Sequence, residues 1–203
     1  MSTTEFLPLM EYPVANPKVC LIMAPRSYDW DYVKYAAMFT MGRTEHQWYH
    51  VTSEWKADIL RAKHSPIRML NFLVEFIDIP YCNAMHLVRH VHAVPFCQSQ
   101  RPDHQSKKSA LYDIDGIEPG FDRSDLSQTN PINLLMYMNA EELQTICEKR
   151  MCGKADDVTR EYVTCMAKVV EMWEPAFKGL LGPTCAKYGY CNEMQPCGQA
   201  VKI

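Results

Sequence analysis

A short stretch of cationic and hydroxyl side chains carries the groups that proteins use to bind phosphate. It opens with Arg89 and His90 and closes with Ser99 and Arg101. Guanidinium groups match phosphate oxygens bidentately, and a hydroxyl adds a further donor. Taken alone, such a stretch is more typical of a solvated helix end. The spacing of these residues and the segments around them therefore decide whether the stretch indicates a phosphate site.

The composition of the chain limits the kinds of ligand that this stretch could bind. The chain has 203 residues, 47% of them hydrophobic, and a net charge of -3, which argues against a general attraction to nucleic acid or to an anionic membrane. No apolar run approaches the roughly 18 residues of a membrane span, and residues 1–10 lack the pattern of a signal peptide. We therefore expect a cytoplasmic protein in which a bound phosphate depends on local arginines.

The nine cysteines predict reduced thiols rather than a disulfide framework. Their number is odd, and six lie in segments of regular periodicity, as small buried thiols do in cytosolic proteins. Cys185, Cys191 and Cys197 are evenly spaced, but zinc sites usually offer a tighter pair of ligands. We assign no metal site. A single catalytic domain over residues 1–181 is expected, followed by a tail over residues 182–203 that contains these cysteines with glycines and prolines.

Hydrophobic periodicity predicts the elements that must position the cluster. Glu142 stands three residues after Asn139, a capping-box pattern that marks the start of a helix. In another predicted helix, His86, Arg89 and His90 would share one face because they are three and four positions apart. The predicted strands cover residues 18–24 and 70–79, the helices cover 28–41, 53–63, 81–93, 139–150 and 155–174, and a long loop covers 98–130.

Four segments, in matching order, resemble the flavin-dependent thymidylate synthase family. Residues 89–101 resemble its signature RHRxxSxNExSxR, with the first and last arginines, the histidine and the second serine in register. Upstream, residues 64–66 (HSP) resemble the H-[ST]-P-F-E-H element. Downstream, residues 123–126 (RSDL) resemble A-R-x-V-L-P, and residues 139–150 resemble N-x-R-x-L…L-R. The resemblance extends over most of the chain after residue 60.

The resemblance implies which residues would bind the substrate. Ser99 and Arg101 would bind the nucleotide phosphate, and Arg123 would reach in from a neighbouring subunit. Arg150 is the implied catalytic residue: it would lie against the pyrimidine ring, where a cation stabilises enolate charge that develops during attack at carbon 6. The alternative for Arg150 is a cation that satisfies the helix end. His86 stands where the family has a glutamine near the nucleotide.

The resemblance also implies residues that would hold the cofactor. Arg89 and His90 would bind the flavin, and Asn139 would contact its isoalloxazine end while capping a helix. His64 lies near the family's flavin-site histidine. FAD would supply hydride after reduction by NADPH, and methylenetetrahydrofolate would supply the carbon, because side chains alone do not perform such chemistry.

Several positions depart from the family pattern. Arg68 replaces a glutamate, Glu141 replaces an arginine, Asp156 replaces a glutamine, and Val91 replaces the second arginine of the signature. The retained residues are concentrated on nucleotide contacts, whereas the replaced ones fall on flavin contacts and on the base and folate side. The identity of the base and the use of folate therefore stay open.

By resemblance, the fold is α+β, with a twisted, largely antiparallel sheet packed with helices in a single domain. The family assembles as a homotetramer with active sites at subunit interfaces. The implied reaction is reductive one-carbon transfer to carbon 5 of a pyrimidine nucleotide, with dUMP converted to dTMP. One alternative is a related methylase or hydroxymethylase that acts on dCMP, UMP or CMP. Another is a non-catalytic nucleotide-binding protein that has lost its flavin.

Overall fold

A computed structural model describes residues 18–45, 51–100, 124 and 126–198 of the chain. Within them, four strands form one sheet: β1 (Lys18–Met23), β2 (Asn71–Pro80), β3 (Val94–Cys97) and β4 (Pro131–Asn139). Their order across the sheet is β1-β2-β4-β3, and each neighbouring pair is antiparallel. Together with the helices packed against it, this sheet confirms the predicted α+β fold.

Six α-helices lie around the sheet in the described part of the chain. They are α1 (Asp29–Thr40), α2 (Ser53–Arg61), α3 (Tyr81–Leu87), α4 (Ala140–Arg150), α5 (Asp157–Trp173) and α6 (Thr184–Tyr188), with short 3₁₀ turns at Ser65–Met69 and Pro175–Phe177. The predicted cap at Asn139 is confirmed, because its Oδ1 accepts the backbone N–H of Glu142 at 3.0 Å. None of the described helices is long and apolar enough to cross a membrane.

The core lies between one face of the sheet and helix α5. Phe72, Val74 and Phe76 of β2 are buried on this face, as the period-two pattern predicts. Phe76 of β2 meets the ring of Tyr162 on α5, with ring centroids 6.4 Å apart, and Phe72 meets Phe177 at 5.6 Å. The Tyr162 hydroxyl donates to the carbonyl oxygen of Asp78 at 2.9 Å, so α5 is fixed to the sheet by both packing and hydrogen bonding.

The opposite face of the sheet is largely apolar and partly exposed, and it also carries Glu75, which pairs with Leu135. Leu73 of β2 and Val94 of β3 both pair with Tyr137 of β4, and Phe96 pairs with Leu135. Directly paired residues lie on the same face of a sheet. Tyr137 is 37% exposed and Phe96 is 55% exposed. Apolar side chains from three strands therefore share this face with Glu75.

The segment after β2 differs from the sequence prediction. The helix predicted over residues 81–93 ends at Leu87, and Val94–Cys97 forms the edge strand β3. Pro95 is tolerated there because an edge strand has one side without ladder hydrogen bonds. His86 thus lies in the last turn of α3, whereas Arg89 and His90 lie in the turn that follows, and the prediction of one shared helical face was wrong. Strand β4 was also absent from the predicted elements.

Helix α6 is joined to α4 by a buried charge cluster. The side chain of Lys187 is 3% exposed, and its ammonium group donates to Gln144 Oε1 at 3.1 Å and to the Glu148 carboxylate at 2.8 Å. The ammonium group of Lys63 donates to the same carboxylate at 2.8 Å. Burial alone would raise the pKa of Glu148, but the hydrogen bonds from Lys187 and Lys63 outweigh it and lower that pKa. We name Lys63, Glu148 and Lys187 the lysine cluster.

Candidate active site on helix α4

A hydrogen-bonded chain of three side chains runs along α4. Arg150 Nε donates to His90 Nε2 at 3.1 Å, and His90 Nδ1 lies 3.2 Å from Glu142 Oε1. An arginine nitrogen can only donate, so Nε2 of His90 must accept and its proton must sit on Nδ1. The histidine is then neutral and donates to the carboxylate. We name Glu142, His90 and Arg150 the arginine chain.

Helix α4 sets the length of the arginine chain. Glu142 lies in the first turn and Arg150 at the last residue, which separates their backbones by roughly 12 Å along the axis. The His90 ring bridges this span from the turn that follows α3. The Arg150 side chain therefore reaches back along the helix to His90, while its place in the last turn also suits the alternative role of a cation at the helix end. The backbone N–H of Met151 closes the last turn by donating to Cys147.

The charge balance of this site favours an anionic ligand. Partial burial lowers the pKa of Arg150, and the nearby positive charge of Arg89 lowers it further. Among the described residues, none accepts a hydrogen bond from the two terminal nitrogens of Arg150. Two guanidinium groups thus share a site in which the Glu142 carboxylate is linked to Arg150 only through His90. An anion placed there would relieve the repulsion between them.

His86 belongs to a second polar network, between α3 and α5. Its Nδ1 lies 3.0 Å from Thr159 Oγ1, which accepts from Asn83 Nδ2 at 3.0 Å and donates to Asp156 Oδ1 at 3.2 Å. A hydroxyl has one proton to donate, so His86 must donate through Nδ1, and in the neutral ring Nε2 is then an acceptor. The pKa of Asp156 is lowered, chiefly by the backbone N–H of Thr159. His86 is thereby held in one orientation.

The segment after β3 places Ser99. The backbone N–H of Gln98 donates to the carbonyl oxygen of Asn133 at 2.9 Å, and Gln98 Oε1 accepts the backbone N–H of the same residue at 2.9 Å. The chain is therefore pinned to β4 one residue before Ser99, which is half-buried. Arg101 and Arg123, the other predicted phosphate ligands, lie outside the described residues.

His64 lies at a cavity of about 440 Å³ between α1, α2 and the first 3₁₀ turn. Its walls include Thr40 of α1 and Trp55 of α2, with Ser65 and Pro66 beside the histidine. The other predicted site residues that the structure describes do not line this cavity. In the described part of the chain, no group of three or more histidine, cysteine, aspartate or glutamate side chains is arranged to hold a metal ion.

The two charge replacements noted in the sequence are in contact. Arg68, at the first 3₁₀ turn, forms an ion pair with Glu141 in the first turn of α4, and the Arg68 Nη2 atom lies 3.3 Å from Oε1. The hydrogen bond and positive charge of Arg68 lower the pKa of Glu141. Where the family pattern has glutamate and arginine, this chain has arginine and glutamate. The two replacements therefore form an ion pair of opposite charges in this chain.

Comparison with solved structures identifies the architecture. Thymidylate synthase X from Helicobacter pylori, solved with FAD and dUMP, superposes with a TM-score of 0.62 at 14% identity, over 82% of this chain and 97% of that one. A second structure of the flavin-dependent thymidylate synthase of Helicobacter pylori, also complexed with FAD and dUMP, gives 0.62 at 15% identity, over 80% and 99% of the two chains. The chain has the fold of the flavin-dependent thymidylate synthases. No protein-family model matches it, and no curated protein matches its sequence.

Within this flavin-dependent thymidylate synthase fold, the structure joins some predicted residues and separates others. Arg89, His90, Asn139 and Arg150 are linked through α4 and its cap. His86 is bonded to α5 instead. His64 has its own cavity.

Sequence reasoning missed three residues that hold this part of the flavin-dependent thymidylate synthase fold in place. Glu142 was assigned only to a capping box, and Gln98 and Thr159 were assigned no role. The polar character of Gln98 beside Ser99 was a usable signal. The partner of Glu142 was not visible, because His90 lies 52 residues away in the sequence.

Proposed function

We propose that this protein is a flavin-dependent enzyme that transfers a one-carbon unit to carbon 5 of a pyrimidine nucleotide, with dUMP converted to dTMP. The observation that carries the proposal is the arginine chain beside Arg89. It presents a guanidinium group whose terminal nitrogens donate to no described residue, in a fold whose compared structures contain FAD and dUMP. No protein nucleophile is required by this proposal.

Each substrate-binding residue has a physical task in the proposed reaction. Arg150 lies against the pyrimidine ring and stabilises negative charge that develops on a ring oxygen during attack at carbon 6. Ser99 and Arg101 bind the phosphate, with Arg123 of a neighbouring subunit. His86 offers its Nε2 acceptor near the nucleotide, since Thr159 already takes its Nδ1 proton.

The residues expected to hold the flavin have groups that suit it. Asn139 uses Oδ1 for its helix cap, and its amide nitrogen donates to no described residue, so this donor can reach a flavin carbonyl. Arg89 is exposed and can meet an anionic oxygen of the cofactor. FAD, reduced by NADPH, supplies the hydride in this proposal, and methylenetetrahydrofolate supplies the carbon. His64 would line the cofactor side from its cavity.

We also propose that the active enzyme is a cytoplasmic homotetramer with sites at subunit interfaces. The partly exposed apolar surface formed by Leu73, Val94, Phe96, Leu135 and Tyr137 supports an interface on the open face of the sheet. Apolar patches of this kind mark association surfaces. Sedimentation of wild type and Phe96→Glu tests it, because a charge added to this surface should shift the protein toward smaller species.

One observation favours a second candidate, a nucleotide-binding protein without flavin. The paired residues Arg68 and Glu141 and the replaced residue Val91 belong to the set of replacements that falls on flavin contacts and on the base and folate side in the family pattern. A site that lost those contacts could keep Arg150 for an anionic nucleotide. Flavin absorbance of the purified protein separates this candidate from the enzyme.

The deciding experiment incubates the protein with FAD, NADPH, methylenetetrahydrofolate and, in turn, dUMP, dCMP, UMP and CMP. Mass analysis of each product distinguishes a methyl from a hydroxymethyl group and identifies the base. Methylated dUMP supports the proposal. Absence of any product, combined with tight dUMP binding and no bound flavin, rejects it in favour of the nucleotide-binding protein.

A further inference from the structure

We propose that Glu142 is a positioning residue that acts through His90 to hold Arg150 ready for its anionic ligand. The inference deepens the function proposed above and rests on it for the identity of that ligand. It concerns a residue whose sequence pattern predicts only a helix cap. Three observations carry it: the burial of the carboxylate, the proton position that its partner must have, and the donors that remain on Arg150.

The carboxylate of Glu142 is buried, with 5% of the side chain exposed. A buried carboxylate is costly unless charges or donors compensate it. The side-chain donor that meets it in the described residues is His90 Nδ1, at 3.2 Å. Its place in the first turn of α4 adds the positive end of the helix dipole. The fold therefore holds a negative group at the point where the imidazole needs an acceptor.

The position of the His90 proton depends on that acceptor. The tautomer of a histidine is set by the hydrogen bond that its other ring nitrogen makes. With Glu142 present, the proton stays on Nδ1 and Nε2 accepts from Arg150. Without the carboxylate, a proton on Nε2 would face the Nε–H of Arg150, donor against donor. Glu142 thus controls Arg150 without touching it.

The consequence for Arg150 is a fixed guanidinium plane. Its Nε is committed to His90, which leaves the two terminal nitrogens as a pair of parallel donors. Such a fork suits an oxygen that gains negative charge, as a pyrimidine carbonyl does when carbon 6 is attacked. Misplacing this fork should affect the transition state more than the bound substrate. In kinetic terms, kcat should fall and KM should change little.

The first measurement needs no variant and no activity. Nitrogen-15 NMR of the imidazole groups, with His90 assigned by His90→Gln, reports which ring nitrogen carries the proton. The proposal expects a protonated Nδ1, an unprotonated Nε2, and an Arg150 Nε–H that exchanges slowly with solvent. A proton found on Nε2 overturns the proposal whatever the enzyme does.

The second measurement uses Glu142→Leu, with Glu161→Gln as a matched loss of one carboxylate from an exposed position of α5. Glu142→Leu should free the Arg150 Nε–H to exchange and lower kcat about 10- to 100-fold with KM within about threefold. Glu161→Gln should match wild type in both readouts. Unchanged exchange at Arg150 in folded Glu142→Leu overturns the proposal.

Failure of the reaction itself gives a different result. If wild type converts none of the four nucleotides but His90 carries its proton on Nδ1 and Arg150 Nε–H is protected, the positioning chain stands and the proposed reaction is rejected. If Glu142→Leu does not fold, the wild-type proton position still decides the proposal.

Discussion

Helix α4 carries two clusters of charge that are closed in different ways. In the lysine cluster, the carboxylate of Glu148 meets the ammonium groups of Lys63 and Lys187 directly, both at 2.8 Å. In the arginine chain, Arg150 reaches the carboxylate of Glu142 only through a neutral imidazole. The charges of the lysine cluster therefore pair with one another. In the arginine chain, the two terminal nitrogens of Arg150 donate to no described residue.

The pKa shifts of the two clusters express this difference. Burial would raise the pKa of Glu148, yet its two lysine partners lower it, so the protein stabilises that charge. Burial and Arg89 lower the pKa of Arg150, so the protein destabilises that charge until an anion arrives. A charge stabilised by its neighbours supports the fold. A charged group whose pKa is shifted against its charged form is typical of a binding site.

The largest expected effect comes from removing the guanidinium group of Arg150. Arg150→Met should lower nucleotide conversion by about 10²- to 10³-fold, the usual cost of one electrostatic donor at a reacting oxygen. Folding should change by no more than about 1 kcal/mol, the net worth of its hydrogen bond to His90. Product mass analysis and urea unfolding measure the two effects. Lys149→Met, at the adjacent exposed lysine, should preserve conversion, and equal losses in both variants would contradict a site role for Arg150.

The next effect falls on the lysine cluster and has the opposite character. Lys187→Met should destabilise the fold by roughly 2–3 kcal/mol, below the full value for a broken buried pair because Lys63 still meets Glu148. Urea unfolding measures it against Lys178→Met, which removes an exposed lysine. Nucleotide binding by the folded variant should match wild type. A binding loss as large as that of Arg150→Met would mean that the two clusters are one site.

The lysine cluster should also make the free energy of unfolding depend on pH. The folded pKa of Glu148 is lowered, so its contribution is present above the unfolded value of about 4.3 and is lost as pH falls below it. Glu148→Gln should therefore differ from wild type in unfolding free energy at pH 6 and converge with it toward pH 3. Urea unfolding at several pH values checks this. A difference that grows as pH falls has the wrong sign for the account.

The smallest expected effect tests the ion pair between Arg68 and Glu141. Arg68→Glu and Glu141→Arg should each lower the thermal unfolding midpoint slightly, because each puts like charges together at a largely exposed position. The double variant restores opposite charges in the order of the family pattern, so its midpoint should return toward wild type. Additive losses in the double variant would show that the contact contributes no coupling.

The same contrast explains how much the sequence could predict. The period-two burial of β2 and the Asn139 cap are local signals, and the structure confirms both. Strand β4 was not predicted because its two faces are both apolar, with Leu135 and Tyr137 on the open side, which hides the alternation. Strand β3 is only four residues long and contains Pro95, so it gives no strand signal.

The sequence predicted individual residues of the candidate site. It did not predict the contacts between them. Arg150 and His90 could be singled out from motif spacing. Their direct contact joins segments that are 60 residues apart in the sequence. The contact between Glu142 and His90 joins segments that are 52 residues apart. Lys187 had no signal at all, because a lysine in a glycine- and proline-containing tail is normally solvated. Tertiary packing alone made it part of the interior.

The most direct test of the central claim, that the arginine chain presents Arg150 to a pyrimidine nucleotide beside a flavin, is a dUMP titration of the FAD-incubated protein. The flavin absorbance spectrum reports both ligands at once. Wild type and Lys149→Met should show bound flavin and a saturable spectral change with dUMP, whereas Arg150→Met should keep the flavin and lose that change. Absence of flavin binding, or a dUMP response in Arg150→Met equal to that of wild type, would contradict the account.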